Sequence, residues 1–209
     1  MSGPLPVIVG ITPGNPAQPI TELALAAHHG GLRAVIVREP DLTTQAAMDI
    51  ASCLKPVYGP GLILHSRTPI GAELAIELGC GLHLPATADP ARHRRAMKGW
   101  LGISCHTLSD LLAAAQAGCD YATLSPVFSP LSKPSDQRPC LGLNTLREIC
   151  TQSTIPIVAL GGITPQNLGA CLTAGAASVA SMGMLFPPNA TPLQCRTAAM
   201  AMGAAHRSG

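Results

Sequence analysis

Aromatic residues are scarce: one Trp, two Tyr and two Phe in 209 residues. Proteins that stack nucleic-acid bases need such rings in numbers, so that class is set aside. Charge is scarce too. Asp, Glu, Lys and Arg make up 11% of the chain and the formal net charge is +2, which leaves no electrostatic footprint for a polyanion. No apolar run reaches the roughly 18 residues of a membrane-spanning helix. The start, Met1-Ser2-Gly3-Pro4-Leu5-Pro6, lacks the basic residues and apolar stretch of a secretory signal. The expectation is a cytoplasmic protein with neither nucleic-acid nor membrane partners. Eight cysteines are present, but CxxC and paired Cys/His spacings are missing, which argues against a metal finger. Most sit in apolar stretches such as Leu78-Gly79-Cys80-Gly81 and read as small buried hydrophobes.

What is abundant is apolar surface, at 47% of residues. Short β-rich runs alternate with Ala/Leu-rich segments from end to end. The candidate strands are Val7–Ile11, Ala34–Val37, Leu62–His65, Gly81–Leu84, Gly102–Cys105, Tyr121–Ser125, Pro156–Leu160 and Ser178–Met182. The segments between them carry helical periodicity. Thr107–Ala117 aligns Leu108, Leu111, Leu112 and Ala115 on one face. Pro165–Ala174 has Thr164 as N-cap and Gly175 just beyond its end, the usual start and stop signals. Pro192–Ala204 reads as the last helix. Apolar strands without alternation belong in a parallel sheet covered on both faces. Eight β-α units in about 200 residues fit an α/β fold of one kind, a single (β/α)8 TIM barrel over residues 1–209. An open doubly wound sheet is the structural alternative. It would carry a glycine-rich turn after its first strand, where this chain has Thr12-Pro13-Gly14-Asn15-Pro16.

Barrel chemistry sits where strands end. Those ends supply Arg38 and Glu39, then His65, Ser66 and Arg67, then Pro85-Ala86-Thr87, then Ser104 and His106, and then Ser125. The longest connection follows, Pro126 to Gly142, with Ser132, Lys133 and Arg138; connections this long in a compact domain are usually functional. Gly161-Gly162 and Gly183 close the last two strands. Amides at such turns, followed by a helix start, suit a phosphate; tight turning alone is the competing reading. Of the histidines, His28, His29, His93 and His206 are expected to face solvent. His83, within Gly81-Leu82-His83-Leu84, reads as a core histidine. His65 faces the presumed pocket, either lining it or transferring protons, and His106 either caps a helix or serves the pocket. Mg²⁺ prefers hard carboxylate oxygens, yet the third and fourth strand ends carry none. No metal site is expected.

Two long stretches, GISCHTLSDLLAAAQAGCDYATLSPVFSPLSKP and IPIVALGGITPQNLGACLTAGAASVASMGML, resemble the thiamine-phosphate synthase superfamily, which includes the thiazole tautomerase TenI. The resemblance spans nearly the whole chain. It implies a small barrel, usually a homodimer, acting on a small-molecule thiazole phosphate. The synthase joins that thiazole to a pyrimidine diphosphate with Mg²⁺. Of its Gln-x-Arg-x-Lys pattern this chain keeps Arg38 alone. Its Asn-Asp pair is replaced by His65-Ser66, and its Gly-Gln-Glu-Asp by Pro85-Ala86-Thr87-Ala88. The tautomerase likewise lacks those metal ligands, but its loop histidine is here Pro126. Pro126-Val127-Phe128 and Lys133 look like the synthase.

The expectation drawn from this is a metal-independent thiazole tautomerase-like enzyme without a cofactor. His65 and Lys133 would be its catalytic residues. Arg38, Arg67, Ser104, His106, Ser125, Ser132, Gly161, Gly162 and Gly183 would hold substrate. One alternative is a thiamine-phosphate synthase that uses Mg²⁺. The other is a non-catalytic phosphate-binding or regulatory relative.

Overall fold

The computed structural model describes residues 3–14, 16–129 and 138–208. Eight parallel strands close into a barrel in sequence order, with β8 pairing back to β1. The strands are β1 Ile8–Ile11, β2 Ala34–Val37, β3 Leu62–His65, β4 Gly81–Leu84, β5 Leu101–Cys105, β6 Tyr121–Leu124, β7 Ile157–Leu160 and β8 Ser178–Ser181. The helices between and after them are α1 Ile20–His29, α2 Thr44–Tyr58, α3 Gly71–Leu78, α4 Ala91–Arg94, α5 Leu108–Gln116, α6 Gly142–Gln152, α7 Leu168–Thr173 and α8 Pro192–Ser208. The expected (β/α)8 barrel is the observed fold. No described helix is long and apolar enough to cross a membrane.

The strand runs are apolar throughout because each strand feeds two cores. Side chains alternate across a strand. On β3, Leu62 and Leu64 face the helices, whereas Ile63 faces the barrel axis. The outer core joins strand and helix faces; the inner one holds Val9, Ile36, Ile63, Trp100, Tyr121 and Val158 among others. At the floor, the N-terminal end of the strands, Trp100 and Tyr121 border a cavity of about 580 Å³ shared with Leu5, Lys98, Asp120 and Pro156.

Helix starts follow side-chain chemistry. Thr107 caps α5: its hydroxyl accepts from the Asp110 amide, and the Asp110 carboxylate accepts from the amides of His106 and Thr107. That is a reciprocal capping box.

Several local expectations need correction. α7 begins at Leu168 and not at Pro165. The Asn167 side chain closes the preceding turn, accepting from the Thr164 amide at 2.8 Å and donating to Gly162 O at 2.9 Å. α8 runs on to Ser208. Cys53 and Cys140 are exposed and Cys150 is half-buried, while the other five cysteines are buried. His28 is half-buried, its ring 5.1 Å from that of Tyr58 and its Nε2 2.9 Å from Arg33 Nη1.

Candidate functional site

A cavity of about 380 Å³ opens at the C-terminal ends of the strands. Its polar wall holds Arg38, His65, Arg67, His83, Ser104, His106, Ser125 and Arg138, and its apolar floor includes Ile11, Ile36, Leu160 and Met182. Six of the eleven expected site residues thus come together, Arg38, His65, Arg67, Ser104, His106 and Ser125, and the strand-end residues Pro85, Ala86 and Thr87 join them. Gly161, Gly162 and Gly183 do not line it; the residues just before them, Leu160 and Met182, do. Ser132 and Lys133 lie outside the described residues.

His65 ends β3 and is 5% exposed. Its Nδ1 accepts from the Arg67 amide at 3.0 Å. Burial, reinforced by the charges of Arg38 and Arg67, lowers its pKa to about 4. The ring is therefore neutral at pH 7 with its proton on Nε2, a donor available to the cavity. His106 is held by different partners. Its Nδ1 donates to Ser125 O at 2.7 Å. Arg138 Nη1 lies beside this ring, 3.0 Å from Nδ1 and 3.1 Å from Nε2.

Arg38 is set by β2, where its amide donates to Thr12 Oγ1 at 2.8 Å. Glu39, next along, turns the other way. It is 1% exposed, and its Oε1 accepts from the Gly14 amide at 3.1 Å. Its own amide donates to Thr68 Oγ1. This carboxylate anchors the β1–α1 connection outside the cavity.

The wall thus carries three arginines and, among the described residues, no carboxylate. Such a surface attracts an anion and fixes it by charge-assisted hydrogen bonds. It is a poor fit for Mg²⁺, which needs hard anionic oxygens. Among the described residues no group of three or more His, Cys, Asp or Glu could hold a metal ion.

Gly161 and Gly162 have φ of +103° and +62°, a region open to glycine at little cost. They also admit the β6–α6 connection at close range. A Cβ on Gly161 would lie 2.8 Å from Pro126 Cα, and one on Gly162 2.5 Å from Ser129 O. The Phe128 amide donates to Gly161 O at 3.1 Å. In the described residues these glycines seat a loop beside the mouth. The turn's Thr164 amide is already bonded to Asn167.

The sequence places His83 in the core and gives Tyr121 no role in the site. His83 is buried and also reaches the cavity wall. Its register with His65 across β3 and β4 is what brings it there. Two histidines at matching positions of consecutive strands is the signal that could have found it.

The thiamine monophosphate synthase family model matches residues 7–185. A thiamine-phosphate synthase of Nitrosococcus oceani is 33% identical over 178 residues, covering 82% of this chain and 80% of its own. One of Chloroflexus aurantiacus is 32% identical over 176 residues, covering 82% and 78%. Among solved structures, a thiamine phosphate pyrophosphorylase from Pyrococcus furiosus superposes with a TM-score of 0.79 at 22% identity, covering 96% of this chain and 95% of that one.

Proposed function

This chain belongs to the thiamine monophosphate synthase family, within the thiamine-phosphate synthase/TenI superfamily, and from that premise we propose that it is a thiamine-phosphate synthase. It would join a phosphorylated thiazole to a pyrimidine diphosphate with release of diphosphate. The observation that carries this reading is the mouth's charge: Arg38, Arg67 and Arg138 around one cavity with no carboxylate among the described lining residues. Developing negative charge on a leaving diphosphate is stabilised by cations and donors already in place. Arg38 and Arg67 supply fixed charge. The Nε2–H of His65 supplies a neutral donor. Similarity to relatives named thiamine-phosphate synthase, at 32% and 33% identity, supports this reaction over the tautomerase that the strand-end residues alone suggest.

One observation favours the tautomerase as a second reading: the ends of β3 and β4 present His65, Ser66, Pro85, Ala86 and Thr87 and no carboxylate. Turnover separates the two. Purified protein is given thiazole phosphate with pyrimidine diphosphate, and in parallel a thiazole tautomer alone, each with Mg²⁺ and with a chelator. Thiamine phosphate and diphosphate formed together are the expected products. Conversion of the tautomer alone, with no joined product under either condition, replaces the synthase reading by the second one.

A further inference from the structure

The inner wall of the barrel holds a hydrogen-bonded chain that starts outside the mouth and ends in it. Register places His83 of β4 beside Gly102 of β5, and Gly102 beside Tyr121 of β6. A Cβ on Gly102 would collide with the Tyr121 ring. The Tyr121 ring therefore fills the space over β5 that a side chain would take, and reaches β4. Its hydroxyl lies 3.0 Å from His83 Nδ1, with the two rings stacked at 5.6 Å and 26°. His83 Nε2 lies 3.1 Å from Ser104 Oγ. Tyr121 and His83 are buried, whereas Ser104 is half-buried on the cavity wall. Tyr121 itself lines the floor cavity and not the mouth.

We propose that Tyr121 and His83 are positioning residues that fix Ser104 as a hydrogen-bond donor to an anionic oxygen of the bound ligand; the ligand end of this rests on the phosphate reading above.

The direction of the chain follows from counting protons. Among the described residues, the only hydrogen-bond partner of the Tyr121 hydroxyl is His83 Nδ1. If Nδ1 carried the imidazole proton, the phenol would accept it and leave its own proton unmet inside the barrel, which buried donors avoid. So the phenol donates to Nδ1. Burial drives the His83 pKa down to about 3, so the ring holds a single proton at neutral pH, and that proton is on Nε2. It donates to Ser104 Oγ. The Ser104 proton then points away from His83 and toward the cavity. The wall at Ser104 thus favours acceptor oxygens over donor groups, by a setting made on the far side of the barrel.

Two measurements test this. Nitrogen-15 spectra of histidine-labelled protein report the tautomer of each ring without any ligand. His83 is expected as the Nε2–H form near neutral pH; the Nδ1–H form overturns the proton order. The second measurement is calorimetric titration with inorganic diphosphate. Ser104→Ala should weaken binding about 10-fold, the loss of one hydrogen bond to a charged oxygen. Tyr121→Phe should weaken it about 3-fold, and the double variant should match Ser104→Ala alone, since the two act through one bond. An additive double variant shows that Tyr121 acts by general loosening and overturns the positioning role. Unchanged affinity in Ser104→Ala overturns the donor role. Should Tyr121→Phe fail to fold, the wild-type tautomer and the Ser104→Ala titration still decide. A wild-type chain that binds no diphosphate overturns the phosphate reading and the ligand end with it, and the tautomer spectrum separates that failure from a wrong proton order.

Discussion

Burial in the barrel wall, reinforced by two neighbouring arginines, keeps the proton off His65. Its pKa lies near 4 in the folded chain, against 6.5 for a free histidine. The unfolded chain therefore takes up this proton first as pH falls. The stabilisation is fully present above pH 6.5 and is lost as pH drops toward 4, and His83, lowered to about 3 by burial, acts in the same sense. Together they give a slope approaching about 2.7 kcal/mol per pH unit in that window. His65→Asn should remove about half of the slope. Urea unfolding at pH 5 and pH 7 measures it; an unchanged difference between the two pH values would show that His65 is not held neutral. A neutral His65 also contributes no inflection to turnover near pH 6.5. Its pocket-lining position could be anticipated because it ends a strand. Its protonation could not, because the arginines beside it come from two different strand ends, and His83 aligns with it only through sheet register.

At the scale of elements, strands were the most legible part of the sequence. Every expected run is a strand, and the ends differ by a residue at most, as at β6, which stops at Leu124. Parallel strands buried on both sides write themselves as short apolar runs, and little else in the chain does. Helix starts were harder wherever a side chain competes with the backbone. Thr164-Pro165 carries the usual start signal, yet Asn167 closes a turn of its own and delays α7. At α5 the signal and the outcome agree, because Thr107 and Asp110 satisfy each other's amides. That cap abuts His106, whose amide donates to the same carboxylate at 2.8 Å. Thr107→Ala should cost about 1 kcal/mol of stability. Denaturant unfolding gives the number, and a loss below a few tenths would mean that solvent replaces the cap without penalty.

Across the whole molecule, the two cores divide the labour. The outer one holds helices to strands, and the last helix takes part in it: Cys195, Ala198, Ala199 and Met202 of α8 are buried, although α8 lies beyond the matched residues 7–185. The inner core separates a charged mouth from an aromatic floor. The architecture was readable from the count and spacing of apolar runs. The division between mouth and floor was not, because it depends on which alternate residues point to the axis. Trp100 belongs to the floor. It is 8% exposed, packed in the inner core, and is the chain's one tryptophan. The protein therefore carries an intrinsic optical label far from its charged opening. Its emission should stay at short wavelength while the barrel is closed and move to the red as urea admits water. Diphosphate added in the native state should leave the spectrum where it was, so that one wavelength reads unfolding alone; a shift on adding diphosphate would mean that events at the mouth are felt through the full depth of the barrel.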